Sequence, residues 1–231
     1  MYTAGIDAKD KAPSPASAIF SSALMNVGFV GIFRVYGIIT KTSIAEWASS
    51  ILIISGILSI LIASSYMIRV KNIKRMFAYS SIEHMGIIML GMAMGGTGYF
   101  GAVLHIILHS FTKASLFYQY GSVFRTLKSK YINETGNYFE YNNSGAYVLL
   151  LSFFVVTAIP PSGMFMSEFL IFRSLFDNGY LWLLIPVVFL ITIIIWAFGD
   201  NMFKLLFHKM ENTVTNAPAA KTPFWESVPQ F

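Results

Sequence analysis

The chain has 231 residues, of which 55% are hydrophobic and 12% are charged, whereas soluble domains carry about 25% charged residues. This composition and the mean hydropathy of +0.62 exclude a disordered chain and disfavour a water-soluble globule, because too few charges are present to cover a surface. The absence of cysteine excludes disulfides, thiolate metal sites, iron–sulfur ligation and cysteine nucleophiles.

Long stretches without charge predict membrane spans, because each is long enough for the roughly 20 apolar residues that a helix needs to cross a bilayer. The turn Gly95–Gly98 divides the longest stretch into two helices. We therefore predict an all-α integral membrane protein with about six transmembrane helices in a domain over 16–208. A cytoplasmic lead over 1–15 precedes it, and a cytoplasmic or surface tail over 209–231 follows it. The predicted spans are 16–38, 46–69, 76–95, 99–125, 145–176 and 180–205.

Basic residues predict the orientation of these spans, because cytoplasmic loops carry the excess of Lys and Arg. One side of the membrane receives only Arg34, Lys41 and Arg173. The other side receives twelve basic residues: Lys9, Lys11, Arg69, Lys71, Lys74, Arg75, Arg125, Lys128, Lys130, Lys204, Lys209 and Lys221. We expect a multi-pass protein of the cell membrane with both termini in the cytoplasm. The pI of about 9.3 then reflects the basic residues on the cytoplasmic side of the membrane and not a nucleic-acid-binding surface. We therefore expect no nucleic-acid partner.

The fourth predicted span carries three ionisable residues at helical spacing. His105, His109 and Lys113 recur every four residues, so they form one stripe about 12 Å long on one helix face. Ionisable groups at bilayer depth are costly unless paired or hydrated, and they usually face a polar pathway. The stripe therefore favours a proton relay through internal water.

Two simpler interpretations of the stripe stay open. A His-x3-His pair also suits a metal ion, but no further histidine, cysteine or clearly placed carboxylate completes a site in the sequence. A histidine in a packed bundle can also be a hydrogen-bonded structural residue. We favour the pathway because three ionisable groups share one face.

Lys74 and Arg75 lie just before the third predicted span and anchor its helix at the cytoplasmic headgroups, and the adjacent residues Glu83 and His84 lie about two turns deeper. Successive helical residues diverge by about 100°, so the two side chains cannot both join one line of contacts. We expect one to face the Lys113 stripe and the other to pack against a neighbour or a second subunit. The alternative is an interfacial polar pair with no role in transport.

The fifth predicted span is interrupted by Pro160 and Pro161, which remove two backbone donors and cannot continue a regular helix. Such breaks within a membrane are tolerated where they are buried or line a hydrated cavity. Glu168 follows near the start of the second half-helix, whose positive dipole end favours a carboxylate. A simple proline kink with Glu168 directed outward is the alternative.

Four segments together resemble a known family: the lead over 11–18 (KAPSPASA), the segment 72–86 around Glu83, the stripe over 105–114, and 160–169 with the two prolines. The whole chain resembles the second half of the antiporter-like subunits shared by Mrp-type cation/proton antiporters, respiratory complex I and membrane-bound hydrogenases. The segment over 81–86 (SIEHMG) most resembles the hydrogenase-type and sulfane-reductase-type branch.

The resemblance implies a membrane subunit that translocates H⁺ or Na⁺ in a multi-subunit, redox-driven complex. His105, His109 and Lys113 would form its central hydrophilic axis, and Glu168 would be the terminal ionisable residue. No nucleotide or dinucleotide motif is present, so we expect a non-redox subunit with no cofactor or metal in this chain. The expected partners are peripheral redox subunits, membrane lipids and other membrane subunits, one of which would supply the missing N-terminal half.

Two departures from the family keep other hypotheses open. Family members contain two inverted repeats, of which this chain supplies most of one, and Asn26 stands where several relatives have lysine. A structural membrane anchor that transports nothing is therefore the first alternative. A stand-alone secondary cation/proton antiporter, in which a dimer would rebuild the two repeats, is the second.

Overall fold

The structure is a computed structural model that describes residues 2–208, and within this range it contains helices and no β-strand. The predicted tail over 209–231 lies outside the described residues. The α-helices are α1 (Tyr2–Lys11), α2 (Ser14–Ile19), α3 (Met25–Ile39), α4 (Ala45–Met67), α5 (Ile73–Met94), α6 (Gly96–Leu127), α7 (Tyr138–Tyr141), α8 (Asn143–Val156), α9 (Gly163–Asp177) and α10 (Leu181–Phe207).

A π-helical segment, Phe20–Leu24, joins α2 to α3, so that Ser14–Ile39 runs as one helix. This helix, α4, α6 and α10 are each long and apolar enough to cross a membrane. Helix α5 is also 22 residues long, but it contains Lys74, Arg75 and Glu83. Together with the divided segment α8–α9, these helices cover the six predicted spans and give an all-α integral membrane protein.

The fifth predicted span is divided at the two prolines. Helix α8 ends at Val156 and α9 begins at Gly163. Ser162 caps the second half, because its Oγ accepts a hydrogen bond from the Phe165 backbone N–H at 3.2 Å. The break therefore places Glu168 in the second turn of a separate, capped half-helix.

Helix α5 lies at the centre of the bundle, and nearly all its residues are buried between neighbouring helices. Asn72 caps its start by accepting from the backbone N–H of Lys74 at 2.9 Å. Gly56 of α4 and Gly86 of α5 allow the two backbones to touch: a Cβ at Gly86 would lie 2.7 Å from the Gly56 carbonyl oxygen. This close approach fixes α5, and with it Glu83 and His84, against α4.

The predicted lead forms a helix, α1, that packs on the start of α5. Arg75 pairs with Asp7 at 2.7 Å and with Asp10 at 3.0 Å, and Asn72 Nδ2 donates to Asp10 at 2.9 Å. Lys9 is buried, although a lysine of a polar lead is expected at the surface, and its Nζ contacts Met25 Sδ at 3.3 Å. Ion pairs and burial thus join α1 to the bundle.

Candidate ion-translocation site

The predicted stripe is buried along its whole length. His105, His109 and Lys113 all lie on α6 and have no exposed surface. They point toward α5 and α9, the two helices that pack most closely on this part of α6. Four residues separate each member from the next, and a helix turns once in 3.6 residues, so one face carries all three.

Lys113 is held by two oxygen atoms of α5. Its Nζ donates to the Phe77 carbonyl at 3.3 Å and to Ser80 Oγ through a short hydrogen bond. Ser80 is itself buried and lies 3.2 Å from the same carbonyl. The amine therefore has polar partners but no carboxylate in direct contact among the described residues.

Three helices bring imidazoles and a carboxylate together one to two turns from Lys113. His105 Nε2 lies 3.1 Å from His84 Nδ1, and His84 Nδ1 lies 3.8 Å from Glu168 Oε1. The His109 ring lies beside the His84 ring, with centroids 5.4 Å apart. His84 is thus the member of the Glu83–His84 pair that faces the stripe.

Ser167 of α9 orients the His105 ring. Its hydroxyl donates to the Met164 carbonyl at 2.8 Å, and its Oγ lies 2.9 Å from His105 Nδ1. With the Ser167 hydroxyl proton directed to Met164, the tautomer that fits is the one in which His105 Nδ1–H donates to Ser167 Oγ. In that tautomer His105 Nε2 carries the lone pair and accepts from His84 Nδ1–H. His84, His105 and Ser167 are then joined in one hydrogen-bonded chain.

Glu83 and Glu168 meet at a small cavity on the other side of this cluster. The cavity has a volume of about 10 Å³, and its polar lining comes from Ser80, Glu83, Thr157 and Glu168. This is about the smallest cavity that can hold one water molecule. Since Ser80 also holds Lys113, one buried polar region connects Lys113 with both carboxylates.

Several buried polar atoms in this region have no hydrogen-bond partner among the described residues. They include both ring nitrogens of His109 and the side-chain oxygen of Asn26. Asn26 Nδ2 donates to the Ile106 carbonyl at 3.4 Å and to Ser110 Oγ on α6. Buried polar atoms normally find a partner, in many cases an ordered water, so these atoms mark where water would bind beside this part of α6.

Sequence reasoning did not single out Ser80, Thr157, Ser167 or Gln119. Gln119 lies on α6 beyond Lys113, is fully buried, and has no partner for its amide among the described residues. Ser80 and Ser167 each lie within three residues of a predicted ionisable residue. This proximity along the chain is the only sequence feature that distinguishes these two serines. It was too weak to identify them, because serine is common in helices.

Comparison with known proteins identifies relatives of this chain. Residues 5–195 match the family model described as NADH:quinone oxidoreductase/Mrp antiporter, transmembrane. The hydrogenase-4 component F homolog of Methylacidiphilum infernorum is 33% identical over 201 residues, which cover 87% of this chain and 41% of that protein.

Two solved structures share the fold. The membrane-bound sulfane sulfur reductase, an archaeal respiratory membrane complex, aligns with a TM-score of 0.81 at 24% identity, over 94% of this chain and 44% of that chain. The Mrp complex of Dietzia sp. DQ12-45-1b aligns with a TM-score of 0.82 at 16% identity, over 88% and 38%. This chain therefore spans less than half the length of these proteins.

Proposed function

Because this chain belongs to the NADH:quinone oxidoreductase/Mrp antiporter transmembrane family, we propose that it translocates H⁺ or Na⁺ as a membrane subunit of a redox-driven complex. The complex would be of the hydrogenase or complex I type. The chain would sit in the cell membrane with both termini in the cytoplasm. Its partners would be peripheral redox subunits, lipids and further membrane subunits, one of which supplies the other half of the antiporter-like unit.

One observation carries this proposal: the buried ionisable groups of α5, α6 and α9 form a connected polar region. Lys113 contacts Ser80, Ser80 lines the cavity of Glu83 and Glu168, and Glu168 approaches His84. A helical bundle has no structural need for so many buried ionisable groups, since each costs free energy at membrane depth. Their proximity supports a path from Lys113 to Glu168.

Redox chemistry in a partner subunit would supply the energy, because this chain carries no recognisable redox motif. A change of charge or hydration near Lys113 would weaken its contact with Ser80 and the Phe77 carbonyl. The ion would then pass through the cavity to Glu168. The histidines would provide a second line of contacts from His109 through His84 and His105.

Replacing Lys113 with alanine tests the proposal. In membrane vesicles that contain the assembled complex, we expect Lys113→Ala to abolish ion uptake while part of the redox turnover remains. Lys204→Ala is the matched control, because Lys204 is an exposed lysine that pairs with Asp200 on the surface of α10. Ion uptake that is unchanged in Lys113→Ala would overturn the proposal.

A structural anchor that transports nothing is the second candidate, and Asn26 favours it. Where several relatives have lysine, this chain has a neutral amide that bonds to Ser110 and the Ile106 carbonyl of α6. An amide orders water but does not carry a proton as a stable cation. In this case Lys113→Ala would reduce the amount of assembled complex and leave ion uptake per complex unchanged.

A further inference from the structure

We propose that His84, His105 and Glu168 form a binding site for a divalent transition-metal ion such as Zn²⁺. These residues come from α5, α6 and α9, and each offers one ligand atom. The three atoms all lie within 4.8 Å of one another, and all three residues are buried. Two imidazoles and a carboxylate are a ligand set that proteins use for zinc.

Two of the three separations between the ligand atoms suit a metal ion with little movement. Tetrahedral zinc with ligand distances of about 2.0–2.1 Å places its ligand atoms about 3.3 Å apart. His105 Nε2 and His84 Nδ1 are 3.1 Å apart, and His84 Nδ1 and Glu168 Oε1 are 3.8 Å apart. Both separations differ from the required one by a few tenths of an ångström. The third separation, between His105 and Glu168, is within 4.8 Å, and rotation of the Glu168 side chain toward His105 would close it.

Ser167 prepares His105 to be a ligand. Metal-binding histidines usually donate their second ring N–H to an oxygen, which fixes the tautomer. Ser167 Oγ lies 2.9 Å from His105 Nδ1, and in the tautomer in which Nδ1–H donates to it, the lone pair of Nε2 is available to bind the ion. The ion would take the place of the proton between the two imidazoles, and the remaining proton of His84 would reside on Nε2.

A fourth ligand has a place beside Glu168. The cavity of about 10 Å³ that Glu168 shares with Ser80, Glu83 and Thr157 is the size of one water molecule. Zinc sites with three protein ligands commonly hold water in the fourth position. A water molecule in this cavity, which Glu168 lines, is the candidate fourth ligand.

This site differs from the His-x3-His pair in the sequence. His109 is not among the residues whose ligand atoms converge, although it lies one turn from His105 on the same face. The ligands His84 and Glu168 come instead from other helices. A bound ion would therefore link α5, α6 and α9, and it would occupy the contact between two imidazoles whether or not this region conducts ions.

Zinc binding to the purified full chain tests the inference without any measurement of ion transport. The chain is stripped with a chelator and titrated with Zn²⁺ alone, and bound zinc is measured by equilibrium dialysis and X-ray absorption. We expect one tightly bound ion with two imidazole nitrogens in its first shell. We also expect zinc to raise the thermal unfolding temperature, because the ion binds the folded chain.

Four histidine-to-glutamine variants locate the ion, because the chain has four histidines. His84→Gln and His105→Gln should weaken zinc binding at least about tenfold, whereas His109→Gln and the exposed His208→Gln should bind as the wild type. Glu168→Gln, which keeps the side-chain size, should also weaken zinc binding. If a histidine variant fails to fold, the zinc affinity of Glu168→Gln tests the site in its place.

Three results would overturn the inference: wild-type affinity in Glu168→Gln, loss of binding in His109→Gln, or binding that only His208→Gln removes. The second would move the ion to the His-x3-His pair, and the third would move it to the surface. None of these results bears on the Lys113→Ala experiment, so the two proposals fail separately.

Discussion

Individual buried groups in this protein depend on small polar neighbours from other helices. Lys113 rests on Ser80 and the Phe77 carbonyl, and His105 rests on Ser167. A single hydroxyl in each case decides where a proton or a lone pair points. In a region with few alternative partners, the loss of one such hydroxyl leaves a buried donor unsatisfied, which costs about 1–3 kcal/mol.

Removal of the Ser167 hydroxyl tests its role in orienting His105. We expect Ser167→Ala to slow ion uptake about tenfold, equivalent to about 1.4 kcal/mol, because His105 Nδ1–H loses its acceptor and the ring is free to change tautomer. Ion uptake by vesicles that hold the assembled complex is the measurement, and nitrogen NMR of labelled histidine reports the tautomer.

The control for Ser167→Ala is Ser174→Ala. Ser174 is another buried serine of α9, two turns further along, and it lies against Gly98 rather than against a histidine. If both variants slow uptake equally, or if the His105 tautomer is unchanged in Ser167→Ala, the orienting role is wrong.

At the scale of helices, the site depends on how closely three elements pack. Helix α5 touches α4 through Gly56 and Gly86, and α6 approaches α5 through Gly98, whose Cβ would lie 2.9 Å from the Gly91 carbonyl oxygen. Small residues let helix backbones meet in a membrane, where packing and hydrogen bonds replace the hydrophobic effect. These contacts bring α5 and α6 near enough for His84 to reach His105.

A methyl group at Gly86 should separate α4 from α5. The added Cβ would lie 2.7 Å from both the Gly56 carbonyl oxygen and Ile60 Cγ1, so we expect Gly86→Ala to destabilise the chain by about 1–3 kcal/mol. Thermal unfolding in detergent measures the loss. Gly31→Ala is the control, since a Cβ there meets no atom within 4 Å, and we expect unchanged or slightly higher stability. Equal behaviour of the two variants would contradict the close contact.

At the scale of the whole molecule, charged residues fall into two groups: those at the ends of the helices and a few that are buried in the centre of the bundle. Arg75, Asp7 and Asp10 form ion pairs at the start of α5, on the side of the bundle where most basic residues lie. Glu83, Lys113 and Glu168 lie inside it. By the positive-inside rule, the excess of basic residues on one side of the membrane predicts that this side faces the cytoplasm.

Cysteine labelling tests this orientation directly, because the natural chain has no cysteine. Thr42 and Asn133 are exposed residues on opposite predicted sides, and neither substitution changes a charge. In intact cells, we expect an impermeant maleimide to label Thr42→Cys and to spare Asn133→Cys. Inverted vesicles should show the opposite pattern, and labelling of Asn133→Cys in intact cells would contradict a cytoplasmic location for the 128–137 segment.

The amino-acid sequence by itself determined the membrane class, the six apolar segments, the break at Pro160-Pro161 and the polar stripe of α6, but not the helices α1 and α7. Each of these follows from local properties: apolar length, the backbone chemistry of proline, and the helical period. The family resemblance was likewise visible in contiguous segments, which the match over residues 5–195 confirms.

Only the tertiary structure decided which residues meet across helices. It placed His84 against His105 and brought Glu83 and Glu168 to one cavity. It also showed that Ser80 contacts Lys113 and that Ser167 contacts His105. It also buried Lys9, one of the basic residues of the predicted lead. The physical reason is that a helix period fixes a side chain's face but not its partner, which depends on how closely glycines let the neighbouring backbones approach.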